Sequence, residues 1–430
     1  MSALAKFCLN RGIKVSGSDK AKSHITEELV HLGADVFYKH SKKNVNGVDL
    51  LVFTCAVGEK NVEVEFAKKS NIPVLERADF LGKLTEEYDN VVAIAGSHGK
   101  TTVCGMLASI LIEAKKEPTI LVGGETSLGN LIIGKKDFLI VEACEYREHF
   151  LKLNHSVGVI LNIDYDHPDF FKTRENYEKS FQKFAKLSKK QTFINEKYSI
   201  FIDRPFITFG DFGNFEARHK TFGDKGIIFD VYKNGKFFVH ITTQIIGYHN
   251  VLNILCAIAV ADYFNINKAS IKNGIAKFKN LKRRYEYMGK LNNNIVITDY
   301  AHHPTQIKDA IVSTKEVYKK PITVVFEPHT YTRTKFLFSN FVDALSLADN
   351  IIILPTYSAR EKSIKGGTSR DLFEALQFKT NKVGFLKSYK KCKKELEKLN
   401  DNIILILGAG SVIKLATDIK MEYLKSNNQT

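Results

Sequence analysis

Residues 91–111 read VVAIAGSHGKTTVCGMLASIL. The apolar run 91–95 has the length of a buried strand. A turn follows, Gly96-Ser97-His98-Gly99-Lys100-Thr101-Thr102, and then Val103, Met106, Leu107, Ile110 and Leu111 recur at the spacing of one buried helical face. Strand, glycine turn and helix together aim backbone N–H groups and a helix N-terminus at phosphate oxygens. Lys100 adds a full positive charge, and the Thr101 hydroxyl suits Mg2+. The strict pattern asks for glycine at position 94, where Ile94 stands, so this is a shortened variant. A tight turn that merely contains Gly-Lys-Thr is the plain alternative. The strand before and the helix after favour a site for ATP.

Outward from this loop, strands and helices alternate almost throughout, which predicts an α/β fold with largely parallel sheets. On the N-terminal side, 13–17 and 49–54 read as strands around a helical stretch at 22–32, 60–70 reads as helix and 72–75 as a short strand. The chain opens directly in a helix-like segment, without the strand and glycine loop that lead into a nucleotide-binding βαβ unit. On the C-terminal side, strands are expected at 137–142 and 158–162, a β-rich patch at 192–241 and a buried helix at 250–263. A further strand–helix series begins near 295 and includes strands at 322–326, 350–354 and 403–407. At 430 residues the chain exceeds one core. We divide it into three domains at 1–86, 87–282 and 283–430.

Composition narrows the class. Hydrophobic residues make up 44% and charged ones 26%, as in an ordinary globular protein. The most apolar stretches are strand-length, short of the ~20 residues a membrane helix needs, and the N-terminus does not read as a signal peptide. The 6 cysteines are scattered without a Cys-x-x-Cys pair, which argues against both a zinc site and a disulfide framework and fits a reducing, cytoplasmic location. The formal charge of +16 comes from Lys spread along the whole chain. A solvated Lys-rich surface therefore accounts for it better than a nucleic-acid tract.

Other candidate site residues lie at predicted strand ends. Glu142 ends one strand, and Asp164, Asp166 and His167 follow the next, where ligands gather in open parallel sheets. Each alone is more often a helix cap or a solvated turn, but their joint placement beside a phosphate loop suits Mg2+. His249, Asn250 and Asn253 open the helix predicted at 250–263. The two asparagines share a face and can hydrogen-bond a base or ribose, with helix capping by Asn250 as the plain alternative.

GSHGKTT (96–102), EACEYREHF (142–150), NIDYDHPD (162–169), GYHNVLN (247–253), KRRYE (282–286), DYAHHPTQI (299–307) and EPHTYTRT (327–334) occur in the order and spacing of the Mur ligases. The chain resembles that family over essentially its whole length, and AHHPT and PHTYTRT resemble its alanine-adding branch. The resemblance implies a Rossmann-like N-terminal domain for a UDP-sugar, a central P-loop ATPase domain and a Rossmann-like C-terminal domain that admits an amino acid. It implies two-step chemistry: ATP phosphorylates the carboxylate of UDP-N-acetylmuramate, and the amine of L-alanine displaces phosphate. It places Lys100 and Thr101 at the β- and γ-phosphates and Mg2+, and Glu142 and His167 at the metal. His249, Asn250 and Asn253 would face the nucleotide, and Arg284 and Asp299 its phosphate and ribose. His302 and Arg333 would lie near the incoming alanine, with Arg333 on its carboxylate. His303 is an equally visible neighbour of His302, and one of the two imidazoles can instead cap a turn.

Several positions depart from the family pattern. A strand and glycine loop reading like GIGGIGMSALA normally open such chains, and here the sequence starts at the Met of that phrase. The first domain is therefore expected to be incomplete, which puts the UDP-sugar site in question. Some relatives carry a carbamylated lysine near the metals. Lys183 is the nearest candidate, and the modification is not predicted. Thr330 stands where some relatives have a second arginine. Gly408-Ala409-Gly410 resembles the start of a dinucleotide fingerprint, but Ile413 occupies the third glycine position, so we read it as helix–strand packing. Alternative readings are another Mur-type or folylpolyglutamate synthetase-like amino-acid ligase, a nucleic-acid-stimulated ATPase, and a truncated, inactive ATP-binding homologue.

Overall fold

The strand Asn90–Ala95 is flanked on both sides by parallel neighbours, Phe138–Glu142 and Val157–Ile160. In this computed structural model, which describes residues 1–126, 129–359, 361–380 and 382–427, the chain forms two compact units. The first comprises 1–163, 178–208 and 256–274; the second comprises 164–177, 209–255 and 275–430.

In the first unit, Thr119–Thr126 lies parallel to Phe138–Glu142, Gly129–Ile132 lies antiparallel to Thr119–Thr126, and Gln191–Asn195 lies parallel to Val157–Ile160. Val91 to Ala95 are all buried because both faces of this strand are covered, as their unbroken apolar run requires. The helix Lys100–Glu113 corrects the one-face expectation. Cys104 and Ala108 are buried along with Val103, Met106, Leu107, Ile110 and Leu111. Its outer side is covered by the helix Lys268–Lys277, where Ser109 donates to the Gly274 carbonyl at 2.7 Å. A Cβ on Gly274 would lie 2.5 Å from Ile110 Cα, so glycine is what allows that close approach.

The N-terminal part of this unit is built from short pieces. Helix Ser2–Asn10 leads to strand Ser16–Ser18, shorter and later than the predicted 13–17, and this pairs in parallel with Asp35–Phe37. Leu51–Phe53 pairs in parallel with Val74–Glu76. The helices are His24–His31, Val62–Lys69 and Arg77–Thr85. Asp35–Phe37 escapes sequence reading because it is short and mostly exposed, without apolar alternation.

The second unit contains a six-stranded sheet in the order Glu286–Leu291, Asn294–Asp299, Ile403–Leu407, Ile322–Phe326, Asn350–Ile353, Val383–Phe385. All of its pairings are parallel except the first. Ile403, Leu405 and Leu407 pack on one face with Ile307, Phe341 and Leu372, while Ile404 and Ile406 pack on the other with Leu396, Leu415 and Ile419. Helices thus cover both faces, the α/β layering expected. Phe215–Gly223, Gly226–Lys233 and Lys236–Thr243 form the antiparallel meander of the β-rich patch. The helix expected at 250–263 runs Tyr248–Tyr263. Among the described residues, no helix is long and apolar enough to cross a membrane.

Candidate functional site

In the first unit, the turn after Asn90–Ala95 owes its shape to two glycines. Gly96 has φ 142°, and a Cβ there would lie 3.0 Å from Leu161 Cβ and 3.2 Å from Asn162 N. Gly99 has φ 84° and caps the helix Lys100–Glu113. Asn162, at the end of the neighbouring strand, clamps the turn: the His98 N–H donates to Asn162 Oδ1 at 2.9 Å and Asn162 Nδ2 donates to the His98 carbonyl at 3.1 Å. The side-chain amide mimics a strand partner and leaves the loop little freedom.

Lys100 Nζ donates to the Gly96 carbonyl and pairs with Glu145 Oε2 at 2.8 Å. Burial, the largest single influence, would lower this lysine's pKa, but the charge and hydrogen bond of Glu145 together with the neighbouring Cys144 and Glu142 make the net shift upward. Lys100 is therefore an ammonium at neutral pH. Glu142 receives the Gly123 N–H on Oε2 at 3.0 Å, and its other oxygen, Oε1, is buried without a hydrogen-bond donor among the described residues. An unpartnered carboxylate oxygen at a parallel strand end, in a region holding a phosphate-type loop, fits a hard divalent cation such as Mg2+.

In the second unit, Asp166 and Arg333 form a bidentate pair: Nε to Oδ1 at 3.1 Å and Nη2 to Oδ2 at 3.2 Å. Burial pushes the Asp166 carboxyl up, but Arg333, with His167 and His302 adding to it, more than reverses this and holds it well below the usual range. The remaining edge of the guanidinium, Nη1, meets His329 Nδ1 at 3.1 Å. In this structure the guanidinium fork expected to await an amino-acid carboxylate thus already holds the carboxylate of Asp166. His167 follows in a left-handed conformation at φ 57°, with Nε2 3.9 Å from Asp166 Oδ2.

The paired histidines divide. His303 is buried and caps the helix Pro304–Val317, its Nδ1 accepting from the Thr305 N–H at 3.3 Å. His302 is partly exposed, its Nδ1 bonded to the Tyr300 carbonyl at 2.9 Å and its ring 5.8 Å from that of His329. Arg283 and Arg284 both lie over the Tyr300 ring, at 4.7 and 5.2 Å. Asp299 spends one oxygen on each of two backbone N–H groups, Tyr285 and Ala301, both at 2.7 Å. Its burial raises its pKa, with Arg284 opposing.

Asn253 Nδ2 donates to Asn250 Oδ1 at 3.0 Å and Asn250 Nδ2 to the Ile246 carbonyl at 2.7 Å, so the asparagines share a face as their spacing predicts. Asn250 sits inside the helix rather than at its cap. A Cβ on Gly247 would lie 2.7 Å from the His249 ring, which fixes that imidazole against the preceding turn. At Gly408–Gly410 the packing reading fits. Here Glu327 Oε2 takes the Val412 N–H at 3.1 Å, and a Cβ on Gly410 would collide with it. An internal carboxylate thus occupies the helix start that an anion would need.

Sequence reasoning missed Asn162, Glu145 and the pairing role of Asp166. The first two stand in motifs already singled out, NIDYDHPD and EACEYREHF, so only their partners were hidden.

Three family models match the chain: "Mur ligase family, catalytic domain" over residues 1–89, "Mur ligase middle domain" over 94–261 and "Mur ligase, glutamate ligase domain" over 283–410. A UDP-N-acetylmuramate–L-alanine ligase from Clostridium tetani is 40% identical over 428 residues, covering 96% of this chain and 94% of that protein. The chain belongs to the Mur ligase family. A ligase of the same description from Clostridium botulinum (strain Eklund 17B) is 41% identical, over 96% of this chain and 93% of its own length. Among solved Mur ligase structures, the UDP-N-acetylmuramate-alanine ligase of Thermotoga maritima aligns with a TM-score of 0.83 at 26% identity, covering 99% of this chain and 97% of that one. The three matched domains and the α/β architecture agree with the fold read from the sequence.

Proposed function

We propose that this Mur ligase joins L-alanine to the carboxylate of UDP-N-acetylmuramate at the expense of ATP, in cytoplasmic peptidoglycan precursor synthesis. The observation that carries the reading is the phosphate loop Gly96–Thr102, with a partly buried, charged Lys100 and the open Glu142 oxygen. It stands in a chain that matches alanine-adding ligases nearly end to end. We take the domain limits as 1–86, 87–282 and 283–430.

A carboxylate resists attack by an amine until one of its oxygens becomes a good leaving group. The γ-phosphoryl group of ATP passes to the muramoyl carboxylate, giving an acyl phosphate and ADP. The amine of L-alanine then attacks the carbonyl carbon, inorganic phosphate leaves and the amine proton is lost. Gly96, Ser97, His98, Gly99 and Thr102 supply the loop that cradles the phosphates, and Lys100 sets a positive charge against the β- and γ-groups. Thr101, Glu142 and His167 would hold Mg2+, which neutralises developing phosphate charge when bound. His249, Asn250 and Asn253 serve the nucleotide, and Arg284 and Asp299 its phosphate and ribose. His302 serves the amine. Arg333 binds the alanine carboxylate, for which a guanidinium fork is the matching shape, and must then exchange Asp166 for it.

The test is mass spectrometry of UDP-N-acetylmuramate incubated with protein, ATP, Mg2+ and L-alanine. A product heavier by one alanyl residue, lost when ATP is omitted or in Lys100→Ala, is expected. An unchanged sugar nucleotide with active ATP turnover would reject the reading.

A further inference from the structure

Away from the phosphate loop, Cys55, Glu76 and His149 converge in the first unit, with one ligand-type atom from each within 4.8 Å of the others. Their positions follow from the fold. Leu51–Phe53 and Val74–Glu76 are paired in parallel with Phe53 opposite Glu76, so Cys55 and Glu76 emerge at the same, C-terminal edge of that small sheet. His149 comes from the segment Tyr146–Lys152. That segment is pinned to the helix Arg77–Thr85 at several points. Lys152 pairs with Asp79 at 3.0 Å, Asn154 N donates to Thr85 Oγ1 at 3.0 Å, and a Cβ on Gly82 would lie 2.3 Å from the Lys152 carbonyl oxygen. Two rigid edges therefore hold the three side chains before any ligand arrives.

We propose that Cys55, Glu76 and His149 form a binding site for a borderline-soft divalent cation, Zn2+. Thiolate, imidazole and carboxylate are the donor types this ion takes, and three protein ligands leave the fourth tetrahedral position to water. The spacing agrees with the ion. With Zn–N and Zn–O bonds of about 2.1 Å, a tetrahedral site sets its nitrogen and oxygen donors roughly 3.4 Å apart. His149 Nε2 and Glu76 Oε1 are separated by 3.3 Å. The two make an ion-pair contact without good hydrogen-bond geometry, and Glu76 Oε1 is buried with no other donor among the described residues, so a cation would satisfy this oxygen better than the imidazole does. On capture the Cys55 thiol loses its proton to solvent and binds as thiolate.

Co2+ is the probe, because a cobalt–thiolate bond gives a near-ultraviolet charge-transfer band. Titrating the full-length protein with Co2+ is expected to produce that band at one equivalent, and Zn2+ to abolish it. Cys55→Ser should lose the band and Cys8→Ser should keep it. His149→Ala should weaken binding about tenfold or more, the scale on which metal sites respond to damage. Zn2+ should also protect Cys55, and not Cys8, from alkylation in the unmodified chain, which decides the matter even if a variant fails to fold. No band at one equivalent, a band that survives Cys55→Ser, or alkylation of Cys55 unaffected by Zn2+ would overturn the assignment.

Discussion

Lys100 Nζ lies 2.8 Å from Glu145 Oε2, so the lysine of the glycine turn is paired with an internal anion. Side-chain exposure is 18% for Lys100 and 3% for Glu145, which puts the pair mostly out of water. Glu145→Gln keeps the shape and removes the charge. We expect it to lower the stability of the nucleotide-free protein by about 2 kcal/mol, less than a fully buried pair because Lys100 keeps some exposure. A non-hydrolysable ATP analogue should then raise Tm more in the variant than in the parent, since its phosphates restore the missing counter-charge. Equal shifts in thermal melts would show that Lys100 does not exchange Glu145 for phosphate.

The double hydrogen bond between the Asn162 amide and the His98 backbone makes a second prediction. Asn162→Ala removes two bonds of about 1 kcal/mol each from the loop without touching a group assigned to the chemistry. Steady-state kinetics should show KM for ATP raised about tenfold with a smaller change in kcat. A loss confined to kcat would mean that Asn162 acts on the reacting atoms instead.

Acid sensitivity follows from Asp166. Its folded pKa lies well below the ordinary value because Arg333, His167 and His302 together outweigh burial. Sign and window follow by linkage. The pair's contribution is full above the unfolded pKa of about 3.9 and is lost as pH falls through the lower folded value. Asp166→Asn should therefore cost about 3 kcal/mol at pH 7, and the gap to the parent should shrink below pH of about 4. Urea unfolding across pH 3 to 7 measures this, and a gap independent of pH would refute the assignment.

His302 and His303 should separate in opposite ways. His303 accepts the Thr305 N–H as a helix cap, so His303→Ala should lower stability by about 1 kcal/mol and leave the KM for L-alanine nearly unchanged. His302→Ala should leave Tm within error and reduce kcat by about 100-fold or more, if the imidazole manages the amine proton. Paired melting curves and initial rates decide between the two, and a shared phenotype would contradict the division.

What the sequence disclosed, and what it withheld, has a physical pattern. Val91–Ala95 and Ile403–Leu407 were legible because strands covered on both faces are unbroken apolar runs. The glycine turn at 96–102 was legible because its glycines and lysine are close together in the chain. The helix after Lys100 was misjudged as one-faced because its second cover comes from residues 268–277, far along the sequence. The same holds for the partners of the candidate site residues. Glu145 is 45 residues from Lys100, Asn162 is 64 from His98 and Asp166 is 167 from Arg333. Pattern reading finds residues whose role is local and misses pairings that only the folded topology creates. Asp35–Phe37 went unseen for a different reason, since a mostly exposed strand leaves no apolar alternation to read.

The most direct test of the account is phosphate release from ATP and Mg2+ as the amino acid is varied, with and without UDP-N-acetylmuramate. The account predicts turnover that needs the sugar nucleotide and is fastest with L-alanine, with glycine and L-serine slower. Phosphate release that is independent of UDP-N-acetylmuramate, or that is supported by another amino acid and not by L-alanine, would contradict it.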